Sequence, residues 1–243
     1  DIVSISKPIT KFSYKLKKAN EIKYIMEKSY HLATTGRPGP VLIDIPMDLQ
    51  RQIINTKKLK SFIPPKVKMN FSKNKIDFLL TKIVKSKKPV IILGGGVKYA
   101  KAEKHLSKFL KKIDIPIVTT WSGVDLINHS KNNYIGNIGV YGSRAANFTI
   151  QNSDLILSLG SRLDTRVTGG VPKNFARNAK KIVVDIDKNE LNKKRGLHIN
   201  HKINLNVKYF LEKINIVNFK KISKPEWTKK CLMWKKSYPM ILD

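Results

Sequence analysis

One cysteine among 243 residues sets the first limits. With Cys231 alone, the chain can form neither an internal disulfide nor a cysteine-based metal cluster, which fits a cytoplasmic protein. Long apolar runs are missing as well. None approaches the roughly 18 residues of a membrane span, and no signal peptide opens the chain, so no membrane partner is expected. Position 1 is not methionine. Asp1 leads directly into DIVSISKPITKFSY, from which the sequence is expected to start inside a domain. Acidic side chains are few, 17 against 48 basic ones, for a formal charge of +31 and a pI near 10.2.

Such a charge invites a nucleic-acid partner. The lysines, however, are spread over the whole length among abundant asparagine and isoleucine, as a coding bias would spread them. RNA-binding aromatic motifs, zinc-finger spacing and basic-zipper heptads are all absent. The expectation is a solvated basic surface, no nucleic acid, and some steering of anionic ligands. Arginine is the scarce base, seven residues against 41 lysines. Where it occurs, a planar bidentate donor is a reason for its presence.

What is present is alternation. Asn20 to Ala33 has a helical apolar period with Asn20 as N-cap, and Val41 to Ile45 reads as a buried strand after the rigid turn Gly36-Arg37-Pro38-Gly39-Pro40. Residues 51–70 read as a linker. A second domain then alternates helix and strand. A Ser72-capped helix to Lys85 turns Ile76, Leu79, Leu80, Ile83 and Val84 inward, and a strand follows at Pro89 to Leu93. Next come a helix from Tyr99 to Lys112, a strand at Ile115 to Thr119, a short strand or irregular stretch at Tyr134 to Gly139, and a helix at Gly142 to Gln151. The run from Asp154 to Leu159 is a strand, with a loop from there to Ala179. Strands at Lys181 to Ile186 and Lys202 to Leu205 and helices at Glu190 to Lys194 and Val207 to Ile214 complete the domain. This order predicts an α/β fold, a Rossmann-like parallel sheet of about six strands flanked by helices on both faces, preceded by the last helix and strand of another α/β domain. Trp227 and Trp234, seven apart, predict a tail helix that packs on something.

The candidate site lies past the apolar run Leu155 to Leu159. Gly160, Ser161, Arg162, Asp164 and Arg166 crowd within a few residues of its carboxyl end, where open α/β sheets bind ligands. Two readings stand: a phosphate or nucleotide grip, and a polar loop closed by surface ion pairs. Gly94-Gly95-Gly96 also follows a strand, but Tyr99 stands where G-x-G-x-x-G needs its last glycine. His198 and His201 have no third ligand to complete a metal site, and no nucleophile constellation is visible.

ATTGRPGPVLIDIPMDLQ, the triple glycine, PIVTTWSG, GNIGVYG, SDLILSLGSRLDTRVTGG and KKIVVDID follow in one order. Together they resemble the thiamine-diphosphate-dependent enzymes of the acetohydroxyacid (acetolactate) synthase type, over nearly the whole chain. The resemblance implies that residues 1–50 end a pyrimidine-binding domain and that 71–215 form the central FAD-binding domain. Residues 216–243 would lead by a helix toward a pyrophosphate-binding domain. It implies FAD contacts for Arg37, Gly95, Thr119, Thr120 and Trp121. It implies the same for the span from Tyr141 and Gly142 to Gly160, Ser161 and Arg162, and for Asp164, Arg166, Val167, Asp185 and Ile186. The family has T-L-M where Thr120-Trp121-Ser122 stands, and histidine where Tyr141 stands.

The implied activity is decarboxylation of a 2-keto acid and transfer of the two-carbon unit to an acceptor. Thiamine diphosphate and Mg2+ would be held by motifs the chain lacks: no G-D-G occurs, and the region of the activating glutamate is not included. A homodimer or homotetramer and a regulatory subunit are implied partners. Two alternatives remain: another thiamine-dependent lyase or transferase with ADP or nothing in the central site, and a non-catalytic nucleotide-binding module.

Overall fold

The computed structural model describes residues 1–66 and 71–239. It divides into two units, residues 1–68 and 69–243.

The first unit holds α1 (Ile2–Ser6), β1 (Phe12–Lys15), α2 (Ile22–Thr34), β2 (Val41–Asp44) and α3 (Met47–Gln50). The first nineteen residues thus contain a helix and a strand. The Asp1 carboxylate caps α1 by accepting from the Val3 amide at 3.1 Å, and β1 pairs in parallel with β2 from Phe12 opposite Val41. Two further corrections apply. Asn20 is not an N-cap but lies in a 3-10 turn, Ala19–Glu21, that runs into α2, and β2 is half-buried instead of buried. The GRPGP turn is held by Lys11, whose ammonium donates to the carbonyls of Thr35 at 2.7 Å and Arg37 at 2.9 Å. In the segment read as a linker, the Phe62 amide donates to Glu27 and its ring stands edge-on to Tyr24. Residues 67–70 of that segment lie outside the described residues.

The second unit begins with α4 (Lys73–Lys85) and β3 (Pro89–Leu93). Ile76, Leu79, Leu80 and Ile83 of α4 are buried, but Val84, expected beside them, is 53% exposed. The single helix expected after β3 is two, α5 (Gly96–Tyr99) and α6 (Glu103–Lys111). The chain breaks at Lys101, whose φ of 51° lies in the left-handed region, and the Ala102 amide turns back to the Val97 carbonyl. β4 (Ile113–Asp114) is separated by Pro116 from β5 (Ile117–Thr119), so the expected strand from Ile115 is shorter. There follow β6 (Tyr134–Asn137), α7 (Arg144–Gln151), β7 (Leu155–Leu159), α8 (Thr165–Thr168), β8 (Lys180–Asp185), α9 (Lys188–Asn192), β9 (His201–Asn204), α10 (Val207–Ile216), β10 (Ile222–Ser223) and α11 (Pro225–Ser237). The loop expected up to Ala179 therefore contains α8 and a 3-10 turn at Pro172–Asn174.

Six strands form one parallel sheet in the order β6-β5-β3-β7-β8-β9. β7 runs between β3 and β8, with Leu155 opposite both Pro89 and Lys180. All five of its residues are buried, as a strand covered on both faces must be. The period of two divides them between two cores. Leu155, Leu157 and Leu159 face the layer of α4, α6 and α10, with Leu79, Phe109 and Phe210. Ile156 faces the other layer, with Ala146 and Ile150 of α7 and Trp227 and Cys231 of α11. The tail helix therefore belongs to the unit's own core. Trp227 donates from Nε1 to the Pro89 carbonyl at 3.1 Å and meets Trp234 edge-on. Burial pushes the Cys231 thiol up to about 12, against smaller opposite pulls from the Thr149 hydroxyl and the Lys230 charge. No helix among the described residues is long and apolar enough to cross a membrane.

Candidate functional site

In a parallel sheet every carboxyl end lies on one edge, so the loops after β3, β5, β6, β7 and β8 share that edge. Numbered within the sheet, the strand order is 3-2-1-4-5-6. The reversal falls between β3 and β7, where a crevice outside the strand ends is the expected ligand position.

The glycine turns meet at that reversal. Gly94 donates to the Leu159 carbonyl at 2.9 Å, Gly96 donates to the Gly160 carbonyl at 2.9 Å, and Gly160 donates to Val184 at 3.0 Å. Gly160 has φ +63°, and a Cβ there would lie 2.8 Å from the Val97 nitrogen and 2.9 Å from the Gly96 Cα. The triplet's missing third glycine is thus unneeded for the turn itself, because Gly160 supplies the close approach from the neighbouring strand.

On the β5 side, Thr119 is fully buried and its hydroxyl donates to Asn137 Oδ1 at 2.6 Å, so this predicted contact residue is engaged within the sheet edge. Thr120 is buried and donates its amide to the Leu93 carbonyl. Gly95 packs on Ser122, where a Cβ would lie 2.7 Å from the serine Cβ. Trp121 and Tyr141 stack on one another, with ring centroids 5.5 Å apart, 16° between planes, and exposures of 61% and 69%. The turn carrying Tyr141 and Gly142 is anchored by Asn147, which accepts from the Gly139 amide and donates to its carbonyl, and by the Val140 amide on the Arg166 carbonyl. Those bonds bring the β6 and β7 loops together.

Past β7, the Ser161 hydroxyl accepts from the Leu163 amide, while Leu163 is fully buried at φ 51°. That left-handed leucine turns the chain so that Arg162 and Asp164 project side by side. Arg162 donates from Nε and Nη2 to Asp164 Oδ2 at 3.1 and 3.0 Å, and Asp164 Oδ1 caps α8 by accepting from the Arg166 amide at 3.1 Å. Both carboxylate oxygens are therefore in use, and an anion approaching Arg162 competes with Asp164 for its fork. The Arg166 side chain is exposed, and Val167 packs partly against the second core. At the end of β8, Asp185 accepts from the Asp187 amide at 2.8 Å, and the Ile186 carbonyl accepts from Asn204 at 2.8 Å. Arg37 belongs to the other unit.

One residue absent from the sequence-based set joins this edge. Arg195 donates from Nη2 to the Arg162 carbonyl and from Nη1 to Glu190 Oε2 at 3.2 Å. Arginine scarcity is a signal that could have found it. His201 lies on β9 against the Phe78 ring, and burial, then Lys82 and Lys180, lower its pKa. Among the described residues no group of His, Cys, Asp or Glu is placed to hold a metal.

Residues 76–214 match the family model for the central domain of thiamine pyrophosphate enzymes. The chain belongs to that family. Among its relatives, an acetolactate synthase large subunit of Lactococcus lactis is 37% identical over 79% of this chain and 34% of its own length. The large subunit of acetolactate synthase isozyme 2 of Escherichia coli is 34% identical, over 82% of this chain and 36% of its own. An acetolactate synthase large subunit of Cyanidium caldarium is 32% identical, over 99% of this chain and 43% of its own length. The chain thus spans between a third and a half of the length of these relatives.

Proposed function

We propose that this chain is the central, FAD-binding part of an acetolactate-synthase-type enzyme, with the end of a pyrimidine-binding domain in residues 1–50 and the approach to a pyrophosphate-binding domain in residues 216–243. The observation that carries the reading is the family match over residues 76–214, on a sheet whose strand order reverses where two glycine turns meet. The whole enzyme decarboxylates a 2-keto acid and transfers the two-carbon unit to an acceptor. Thiamine diphosphate with Mg2+ supplies that chemistry. With no G-D-G in the chain, the groups that hold them are assigned to other parts of the polypeptide. The enzyme is a cytoplasmic homo-oligomer, with a regulatory subunit as a further partner.

The residues of the strand-end edge suit an adenine dinucleotide in chemistry. Arg162 and Arg166 offer guanidinium forks to a diphosphate. The Asp185 carboxylate suits ribose hydroxyls, and the exposed Trp121 and Tyr141 rings offer an apolar face to a flavin. Gly95, Thr119, Thr120, Gly142, Gly160, Ser161, Val167 and Ile186 shape the loops that carry these groups. The division of labour is orientation by the arginines and the carboxylate, and exclusion of water by the aromatic pair.

ADP in place of FAD is the second reading, and one observation favours it. Trp121 and Tyr141 stand where the family has T-L-M and histidine, and they stack on each other. Titration calorimetry with FAD and ADP, followed by Trp121 fluorescence, separates the two. FAD is expected to bind one to one and quench Trp121, with Arg162→Ala weakening it about tenfold. Heat from ADP and none from FAD selects the second reading. No heat from either overturns both.

A further inference from the structure

Arg195 and Glu190 form an ion pair largely out of water, their side chains 14% and 13% exposed. Exposed pairs of this kind contribute little, but a buried one strands a charge when either partner is removed. The pair also has direction. Glu190 sits in the first turn of α9, where Asp187 accepts from the amides of Asn189 at 2.9 Å and Glu190 at 3.4 Å. The Asp187 amide in turn donates to Asp185 Oδ1. On its other side Arg195 donates to the Arg162 carbonyl. A continuous series of polar contacts therefore runs from the carboxylate that ends β8 to the backbone of the arginine after β7. A planar fork presents its donors in fixed directions, whereas an ammonium on a flexible stem does not.

We propose that Arg195 is a positioning residue for nucleotide recognition. Braced by Glu190, it holds the Arg162 turn at a set spacing from Asp185, so that the phosphate and ribose ends of one adenine nucleotide are gripped together. This rests on the nucleotide reading of the site. A ligand with only the ribose end, such as adenosine, does not depend on the brace, whereas ADP does.

The test is a calorimetric comparison of ADP with adenosine on the wild-type chain, Arg195→Met, Arg195→Lys, Glu190→Gln, Arg162→Ala, and the Arg162→Ala/Arg195→Met double variant. ADP is expected to weaken about tenfold in Arg195→Met and Glu190→Gln, with adenosine changed by less than about twofold. Arg195→Lys is expected not to restore ADP binding, and Arg195→Met to add no loss on top of Arg162→Ala. Equal losses for both ligands, full rescue by lysine, or additive losses overturn the proposal. If Arg195→Met does not fold, Glu190→Gln carries the same comparison.

Hydrogen exchange without nucleotide gives an independent reading. The Leu163 and Arg166 amides, held by Ser161 and Asp164, are expected to exchange about tenfold faster in either brace variant. Unchanged exchange overturns the positioning role. If the wild-type chain binds neither ADP nor adenosine, the nucleotide reading and the recognition role fall together. Exchange alone then decides whether Arg195 positions the turn.

Discussion

At the scale of single residues, the sheet edge is closed by backbone where other sites use side chains. Gly160 combines a left-handed φ with backbone atoms under 3 Å from any added Cβ. Those neighbours are backbone of Gly96 and Val97 and cannot rotate away. Gly160→Ala is therefore expected to cost about 3 kcal/mol, from the strained conformation and the overpacking together. Gly170→Ala, where a Cβ meets nothing within 4 Å, should stay within about 0.5 kcal/mol of wild type. Urea midpoints of the two variants check this, and equal shifts would refute the close approach.

At the scale of elements, α11 covers one face of the sheet and does not merely lead away from it. Trp227 is 5% exposed and is tied to the Pro89 carbonyl. Trp227→Ala is expected to lower stability by about 3–5 kcal/mol, since a large buried ring is lost and the Pro89 carbonyl loses its donor. A urea shift below about 1 kcal/mol would mean that the helix is no part of the core. The strands were legible wherever both faces are covered: β3 is apolar throughout, β7 is apolar except for Ser158, and β8 carries Ile182, Val183 and Val184 at its centre. β1 was not legible, because Phe12–Lys15 is half-exposed, carries serine and lysine, and has one partner. The break between α5 and α6 also left no mark. Ala100-Lys101-Ala102 contains neither glycine nor proline, and the left-handed lysine is fixed by the Ala102 bond to Val97. In the candidate site, the parallel sheet made the strand ends readable. The Arg162–Asp164 pairing and the Arg195 brace were not, since a carboxylate two residues away and a main-chain carbonyl 33 residues away leave no periodic trace.

At the scale of the whole molecule, family membership and composition pull on different properties. The family match concerns the sheet and its loops, while the charge of +31 concerns how ligands arrive. A field of that sign should speed the approach of an anionic dinucleotide and be screened by salt over a Debye length of about 10 Å at 0.1 M. Stopped-flow fluorescence should show the association rate of FAD or ADP falling severalfold between low and high ionic strength, with dissociation much less affected. A salt-independent association rate would separate the basic surface from ligand capture.

Cys231 lies on the buried face of α11 with no exposed surface, and burial keeps its sulfur protonated. The helix is thus a seal over the chain's one thiol. Peroxides and alkylating agents reach that thiol only when the seal lifts, so its modification would follow the opening of a single element and not the chemistry of the thiol.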